Sequence, residues 1–255
     1  MIKIKIWRLS FVFFLFSCSN GAPTEQHITI AVASNIQIAM QEIATQFTKQ
    51  HGIEVEIASG SSGVLTAQIR HGAPFDVFVS ANMQYPNALE KEGLTIGSPQ
   101  IFAYGTLILW SLDKIDLKEG ITVLSNSSVE RFVIANPEIA PYGIAAMEAL
   151  ENSNLMHLLQ SKMVMGESIG QVNQYISSGA VQVGLTSRSI LYGSNLSENG
   201  SSQEINRSLY QPIKQGIVIL KNGVEHNMLS SKLFHDFMFS PATKTILNSH
   251  GYQSI

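Results

Sequence analysis

The chain has little charge and almost no cysteine. Of its 255 residues, 14% are charged and a single one, Cys18, is a cysteine. A lone cysteine excludes an intrachain disulfide framework and a thiolate metal site. The net charge of −3 comes without a basic stripe, which argues against nucleic acid as a partner. Because charged side chains are so few, an anionic ligand would be held mostly by neutral donors.

The sequence also lacks recognisable catalytic and metal-binding motifs. Its seven histidines form no H-x-x-x-H pair and show no spacing with carboxylates that indicates zinc. The serines of the 59–63 run do not complete G-x-S-x-G, because the fifth residue from Gly60 is Val64. A P-loop and a G-x-G-x-x-G after a strand are absent as well. The sequence therefore predicts a binding protein without catalysis, cofactor or bare metal ion.

The first 26 residues have the features of an export leader and linker. Three basic residues precede an apolar run over 9–16, which is too short to span a bilayer as a permanent helix. Cys18 lies in a stretch that resembles a bacterial lipoprotein cleavage box, so the mature chain is expected to begin at a lipidated Cys18. Plain secretion with cleavage near Ala22 is the alternative. Both interpretations place the protein outside the cytoplasm, and a lipid at Cys18 would be its only contact with a membrane.

Strand and helix patterns alternate along the rest of the chain, which predicts an α/β fold. One α/β unit covers 27–104, a second covers 105–214, and the chain returns to the first over 215–255. This order predicts two lobes, each a mostly parallel sheet flanked by helices. Two crossings, near Gly105 and Gln215, would join the lobes, and a ligand cleft would lie between them.

Several local features carry expectations of their own. Residues 195–206 lack periodicity and predict a surface loop. Asp76 interrupts an apolar strand, and we expect it to cap or orient a neighbouring loop. The last two helices are predicted at about 227–239 and 241–249, with Leu229 on the inward face of the first.

Two serine-containing turns each follow a predicted strand and precede a predicted helix. Ser34 follows the strand over 28–33, and the serine- and glycine-rich run 59–63 follows the next one. Free backbone N–H groups, serine hydroxyls and the helix dipole favour an anion at such a turn. One turn alone is typical of an ordinary helix cap. Two of them after consecutive strands lie at the same edge of a sheet, where α/β folds bind ligands.

Several stretches between Ile28 and Tyr252, at 31–34, 61–69, 136–146, 167–170 and 240–252, carry a family resemblance. They resemble the periplasmic molybdate-binding proteins that serve ABC transporters. Those binding proteins have the type II periplasmic binding fold. The most specific stretch is Gly72-Ala73-Pro74-Phe75-Asp76-Val77-Phe78-Val79-Ser80-Ala81. The resemblance implies a monomeric protein that captures molybdate, and tungstate in the same cavity, for delivery to an ABC permease.

The resemblance also implies which residues hold the ion. Ser34 and Ser62 match positions where the first lobe donates hydroxyl and backbone N–H groups. Tyr142 and Ile169 match positions where the second lobe donates backbone N–H groups, so that side-chain identity would matter little there. Ser187 matches a position where some members have a tyrosine that reaches the anion. Because serine is shorter, either a water fills the gap, Ser187 serves from closer in, or the ion has fewer bonds.

The sequence leaves three alternative functions to be considered. The ligand could be sulfate or phosphate, since these are also tetrahedral oxyanions. An enzyme of the same two-lobed architecture, such as porphobilinogen deaminase, would need a cofactor-bearing cysteine in the mature domain, and Cys18 cannot serve. A diverged lipoprotein could have lost the ligand, although Ser34 and Ser62 argue against it.

Overall fold

The computed structural model describes residues 27–192 and 200–255, with the backbone alone over 223–226. The strands, in chain order, are β1 (His27–Ala33), β2 (Glu54–Gly60), β3 (Val77–Ser80), β4 (Thr95–Gly105), β5 (Leu107–Ser111), β6 (Phe132–Ala135), β7 (Met163–Gly166), β8 (Val183–Ser187), β9 (Ser201–Glu204), β10 (Ile213–Leu220) and β11 (Gln253–Ser254). The helices are α1 (Gln37–His51), α2 (Ser62–Arg70), α3 (Gln84–Lys91), α4 (Pro141–Asn152), α5 (Met156–Leu159), α6 (Ile169–Ser177), α7 (Lys221–Phe237) and α8 (Pro241–Ser249).

These elements form two sheets, one for each lobe. The first sheet has the order β11-β4-β10-β3-β1-β2, and the second has the order β7-β6-β8-β5-β9. Strand β4 belongs to the first sheet and β5 to the second, so the chain crosses between the lobes at Thr106. It crosses back before Ile213, where β10 begins.

Both sheets are mixed rather than mostly parallel. In the first sheet β1 runs parallel to β2 and β3, whereas β10 runs antiparallel to β3 and β4. In the second, β6 runs parallel to β7 and β8, whereas β5 runs antiparallel to β8 and β9. The expectation of parallel pairing failed at β5 and β10 because these strands enter their sheets directly from a crossing. Parallel neighbours need a longer crossover connection, usually a helix.

Apolar helix faces cover the first sheet. Met40, Ile43 and Phe47 recur at helical spacing along α1 and are buried in one core cluster. Helix α1 ends at Gly52, which adopts a left-handed conformation with φ of 68° and donates to the Thr48 carbonyl over 2.8 Å. Leu65 of α2 belongs to a second cluster, on the opposite face of the sheet. The covered sheet therefore presents the ends of its strands, rather than a face, to the other lobe.

The prediction of a loop over 195–206 was partly wrong. Ser201–Glu204 forms strand β9, which pairs with β5 at the edge of the second sheet. The polar sequence of β9 has no strand pattern. The strand forms because its backbone pairs with the backbone of β5. Residues 193–199 lie outside the described part of the chain.

Both of the last two predicted helices exist, but α7 begins six residues earlier than predicted, at Lys221, and one side chain predicted to face inward is exposed. Leu229 is 68% exposed. Leu233 and Phe237, which were predicted to lie on the same face of the helix, pack in the core cluster that contains α1. Helix α7 is broken at Asn227, with φ of −138° and ψ of 32°, and Leu229 lies two residues after this break.

Asp76 is buried and orients a strand and a helix rather than a loop. Its carboxylate accepts from the Thr29 N–H of β1 over 2.6 Å and from the Asn227 side chain over 3.4 Å. The expected orienting role is therefore found, with different partners. Within the described ranges, no helix has both the length and the apolar character needed to cross a bilayer.

Candidate functional site

A narrow cleft lies between the two lobes, where β1 and β2 end and α2, α4 and α6 begin. It encloses about 190 Å³ of empty space, its mouth included. The part of this space that a water-sized group can enter is about 10 Å³, roughly the room of one water molecule, so the cleft excludes organic ligands. The lining residues are Ala33, Ser34, Asn35, Gly60, Ser61, Ser62 and Ala81 of the first lobe and Ala140, Pro141, Tyr142 and Ile169 of the second.

The cleft brings together residues that are far apart in the sequence. Four of the five ion-binding residues predicted from the sequence line it: Ser34, Ser62, Tyr142 and Ile169. The fifth, Ser187, is not among the lining residues. It is buried, at the end of β8.

Ser34 and Ser62 are held in place by backbone donors. Ser34 begins the 3-10 turn Ser34–Ile36, and its Oγ accepts from the Gly170 N–H of the second lobe over 3.4 Å. Ser62 is fully buried at the start of α2, and its Oγ accepts from the Ala81 N–H over 3.0 Å. Among the described residues, neither hydroxyl donates to a protein acceptor. Both therefore keep their hydrogen atom for a ligand in the cleft.

Three helices begin at the cleft, and each has free N–H groups in its first turn. Ser62 begins α2, Tyr142 is the second residue of α4, and Ile169 begins α6. The first N–H groups of a helix have no partner within the helix, and the helix dipole favours negative charge beside them. The positive ends of three helices therefore meet at one small space.

The lining of the cleft is electrically neutral. It includes no lysine, arginine, histidine, aspartate or glutamate. Burial raises the pKa of the Tyr142 hydroxyl well above its usual value of 10, and the neighbouring Tyr252 adds to the effect. Tyr142 therefore stays protonated. Over 27–192 and 200–255, no group of three or more His, Cys, Asp or Glu side chains could hold a metal ion.

The lobes touch at the rim of the cleft. The Gly63 N–H donates to the Ile139 carbonyl of the second lobe over 2.9 Å. A Cβ at Gly63 would lie 2.8 Å from that carbonyl oxygen and 2.9 Å from the Tyr85 hydroxyl. Glycine is therefore required for this close approach. In the sequence, a glycine in the first turn of a predicted helix is only a weak sign of this contact, and nothing indicates Ile139.

The Tyr142 side chain has partners that the resemblance did not imply. Ser187 Oγ donates to the Tyr142 hydroxyl over 3.1 Å and lies 3.0 Å from Ser189 Oγ. Gly105, at the first crossing, leaves room for this hydroxyl, because a Cβ there would overlap it. The identity of residue 142 therefore matters to the packing behind the cleft.

Asn35 continues this buried network into the first lobe. Its carbonyl accepts from Ser189 Oγ over 2.6 Å and from the Tyr252 hydroxyl over 2.7 Å. Its side-chain amide donates to Gln215 Oε1 over 2.9 Å. The sequence analysis missed Asn35, Ser189, Gln215 and Tyr252, because the contacts that bring them together between the lobes and within the first lobe span 134 or more positions, and no local pattern joins them.

One lining hydroxyl has no partner. Ser61 Oγ is buried and makes no hydrogen bond among the residues that the structure describes. Ser61 is 5% exposed and precedes α2.

Comparisons with known proteins identify the family and the fold. A family model described as bacterial extracellular solute-binding protein matches residues 28–253. The molybdate-binding protein ModA of Azotobacter vinelandii is 35% identical over 239 residues, which cover 93% of this chain and 93% of that protein. The protein of the same name from Rhodobacter capsulatus is 37% identical over 226 residues, which cover 88% of this chain and 87% of that protein.

The solved structure of the periplasmic molybdate-binding protein of Azotobacter vinelandii has the same fold. It matches with a TM-score of 0.83 at 33% identity, over 88% of this chain and 98% of that one. The predicted two-lobed periplasmic binding fold is thereby confirmed, as is the resemblance seen in the sequence. The matches cover nearly all of the described chain, and the protein belongs to the bacterial extracellular solute-binding protein family.

Proposed function

We propose that this protein captures molybdate outside the cytoplasm and delivers it to an ABC permease. The observation that carries the proposal is the neutral cleft at which three helices begin and where the hydroxyls of Ser34 and Ser62 accept hydrogen bonds but donate none to the described residues. The names of the two relatives at 35% and 37% identity favour molybdate over other small anions.

Binding would proceed without chemical change. The first lobe contributes the hydroxyls of Ser34 and Ser62, and the second contributes the N–H groups of Tyr142 and Ile169. A hydrogen bond to a charged acceptor contributes roughly 1.5–3 kcal/mol net, so a few of them hold a dianion without a counter-cation. The protein accordingly acts as a carrier, with no catalytic residue, cofactor or bare metal ion.

Ser187 would act through Tyr142 and make no contact with the ion. Its hydroxyl is bonded to the Tyr142 hydroxyl behind the cleft. We therefore assign it to positioning α4, whose first turn carries the Tyr142 N–H. Of the three options that the sequence left open, this favours an ion with fewer side-chain bonds from the second lobe.

The ligand selection would rest on size. Tungstate has the same charge and shape as molybdate, and we expect the cleft to accept it. Sulfate and phosphate are smaller tetrahedral anions, and a rigid ring of donors discriminates against an ion that cannot reach all of them. Sulfate or phosphate remains the second candidate ligand.

The cellular setting is part of the proposal. Cys18 and the predicted leader lie outside the described residues, and we propose lipidation at Cys18 as the means of attachment. The protein would act as a monomer and present both lobes to the permease.

The proposal can be tested by a thermal-shift titration of the mature domain with molybdate, tungstate, sulfate and phosphate. A ligand at about 100 times its dissociation constant adds roughly 2.7 kcal/mol to the free energy of unfolding, which raises the melting midpoint visibly. We expect a shift with molybdate and tungstate alone. A shift with sulfate or phosphate alone would identify that ion, in place of molybdate, as the ligand. The absence of a shift with any of the four would contradict the proposal.

A further inference from the structure

Ser61 occupies a capping position without capping its helix. It precedes α2 with an extended backbone, φ −70° and ψ 149°, and its side chain accepts no hydrogen bond from the helix. The serines before α6 and α8 behave differently: Ser168 accepts from the Gln171 N–H, and Ser240 accepts from the Thr243 N–H. Capping is the usual reason for serine at this position, and it does not account for Ser61.

The surroundings of Ser61 point to the cleft. The residue lines the cleft beside Ser34 and Ser62. Its hydroxyl is shielded from solvent and has no partner among the described residues. Buried hydroxyls in native proteins are nearly always hydrogen-bonded, and a missing partner is unfavourable. A partner that enters the cleft would remove this cost.

We propose that Ser61 Oγ donates a further hydrogen bond to the oxyanion in the cleft. This inference rests on the proposed function and adds a binding residue to it. The first lobe would then supply three serine hydroxyls, from Ser34, Ser61 and Ser62. The third would compensate for the side-chain donor that the second lobe lacks, since Ser187 is bonded to Tyr142 and does not line the cleft.

The role of Ser61 differs from that of its neighbour in a measurable way. Ser62 Oγ accepts from a buried backbone N–H, so it stabilises the free protein as well as the complex. Ser61 Oγ has no such partner, so its removal takes nothing away from the free protein. Ser61→Ala should therefore weaken binding selectively and leave the free protein as stable as before, or more stable.

The experiment is a calorimetric titration of molybdate into the wild-type protein and into Ser61→Ala, together with the melting midpoint of each without ligand. We expect the dissociation constant of Ser61→Ala to rise roughly tenfold, as for a lost charge-assisted hydrogen bond, with an unchanged or higher midpoint. Ser59→Ala is the matched control, because Ser59 lies only two residues before Ser61, at the end of β2, but is exposed and bonded to Gln37. It should change neither quantity.

Each outcome has a defined meaning. If the wild-type protein binds molybdate and Ser61→Ala binds equally well, this inference fails and the proposed function stands. If Ser61→Ala has a lower midpoint without ligand, Ser61 has a structural role and the inference also fails. If the wild-type protein binds no oxyanion, both the proposed function and this inference fail. A crystal structure with molybdate should show Ser61 Oγ within about 2.5–3.0 Å of a ligand oxygen, and a longer separation would overturn the assignment.

Discussion

The hydroxyl of Ser187 donates to the hydroxyl of Tyr142 over 3.1 Å, and both side chains are almost completely buried. From Ser187 the contacts continue through Ser189 to the Asn35 carbonyl. This chain of polar groups joins the start of α4 in the second lobe to the turn of Ser34 in the first. The position of the Tyr142 N–H at the cleft therefore depends on groups that lie behind it.

Replacing Ser187 tests this dependence. Ser187→Ala leaves the Tyr142 hydroxyl without its buried donor, so we expect the free energy of unfolding to fall by about 1–3 kcal/mol. Molybdate affinity should fall only a few-fold, because the N–H that contacts the ion remains. Urea unfolding and calorimetric titration measure the two effects.

The matched control is Ser178→Ala, an exposed serine of the same lobe whose hydroxyl bonds to the Tyr175 carbonyl. It should leave both quantities unchanged. A large loss of affinity in Ser187→Ala with unchanged stability would mean that Ser187 contacts the ion directly.

Replacing Ser62 should lower both affinity and stability, in contrast to Ser187, whose replacement should mainly lower stability. Ser62→Ala removes both a donor to the ion and the acceptor of the Ala81 N–H. We expect molybdate affinity to fall by roughly a factor of ten or more, and stability to fall by about 1–3 kcal/mol because a buried N–H loses its partner. The same two measurements apply, and unchanged affinity would refute the assignment of Ser62 to the site.

The sequence predicted the site where the signal is local. A strand, a serine and the start of a helix stand next to one another at Ser34 and again at Ser62, so periodicity and turn chemistry sufficed to place both at one sheet edge. Tyr142 and Ile169 were found only through the family resemblance. Their contribution comes from the backbone, which any residue can supply.

What the sequence did not predict depends on contacts between distant segments. Nothing near Asn35 indicates that its side chain meets Gln215 and its carbonyl meets Ser189. Strand β9 likewise exists because β5 offers it an edge, and the antiparallel entry of β5 and β10 follows from the path between the lobes. These features are set by tertiary structure, which single-sequence patterns do not encode.

Gly63 is expected to control how closely the lobes approach. Gly63→Ala would place a Cβ 2.8 Å from the Ile139 carbonyl oxygen, so the two lobes could not approach each other as closely at the rim of the cleft. In the free protein alanine favours the helix by up to about 1 kcal/mol over glycine. We therefore expect weaker molybdate binding without loss of stability in the absence of ligand.

Calorimetry and thermal unfolding test this prediction, with Val64→Ala as the control because Val64 lies in the same turn and is partly exposed. The control should bind like the wild type. Equal affinity of Gly63→Ala and the wild type would show that the contact between Gly63 and Ile139 is not needed for binding.

Binding should not depend on pH near neutrality. The cleft is lined by no charged side chain, and burial keeps the pKa of Tyr142 well above 10. We expect the same molybdate affinity between about pH 6 and about pH 9, a range in which histidine and amino groups would titrate. Calorimetric titrations across this range check the prediction, and a tenfold change per pH unit would reveal an ionisable group in the site.

Stability should fall with rising pH in the alkaline range. Burial raises the pKa values of Tyr142 and Tyr252 in the folded protein, whereas an unfolded tyrosine titrates at about 10. Above that pH the unfolded chain has lost protons that the folded protein retains, so the free energy of unfolding falls as the pH rises; below it, the contribution of these tyrosines is complete. Urea unfolding between about pH 8 and pH 11 should show a decline that is shallower in Tyr142→Phe, which lacks one of the two groups. An equally steep decline in that variant would mean that Tyr142 ionises as readily in the folded protein as in the unfolded chain, and its burial behind the cleft would then have no effect on its proton.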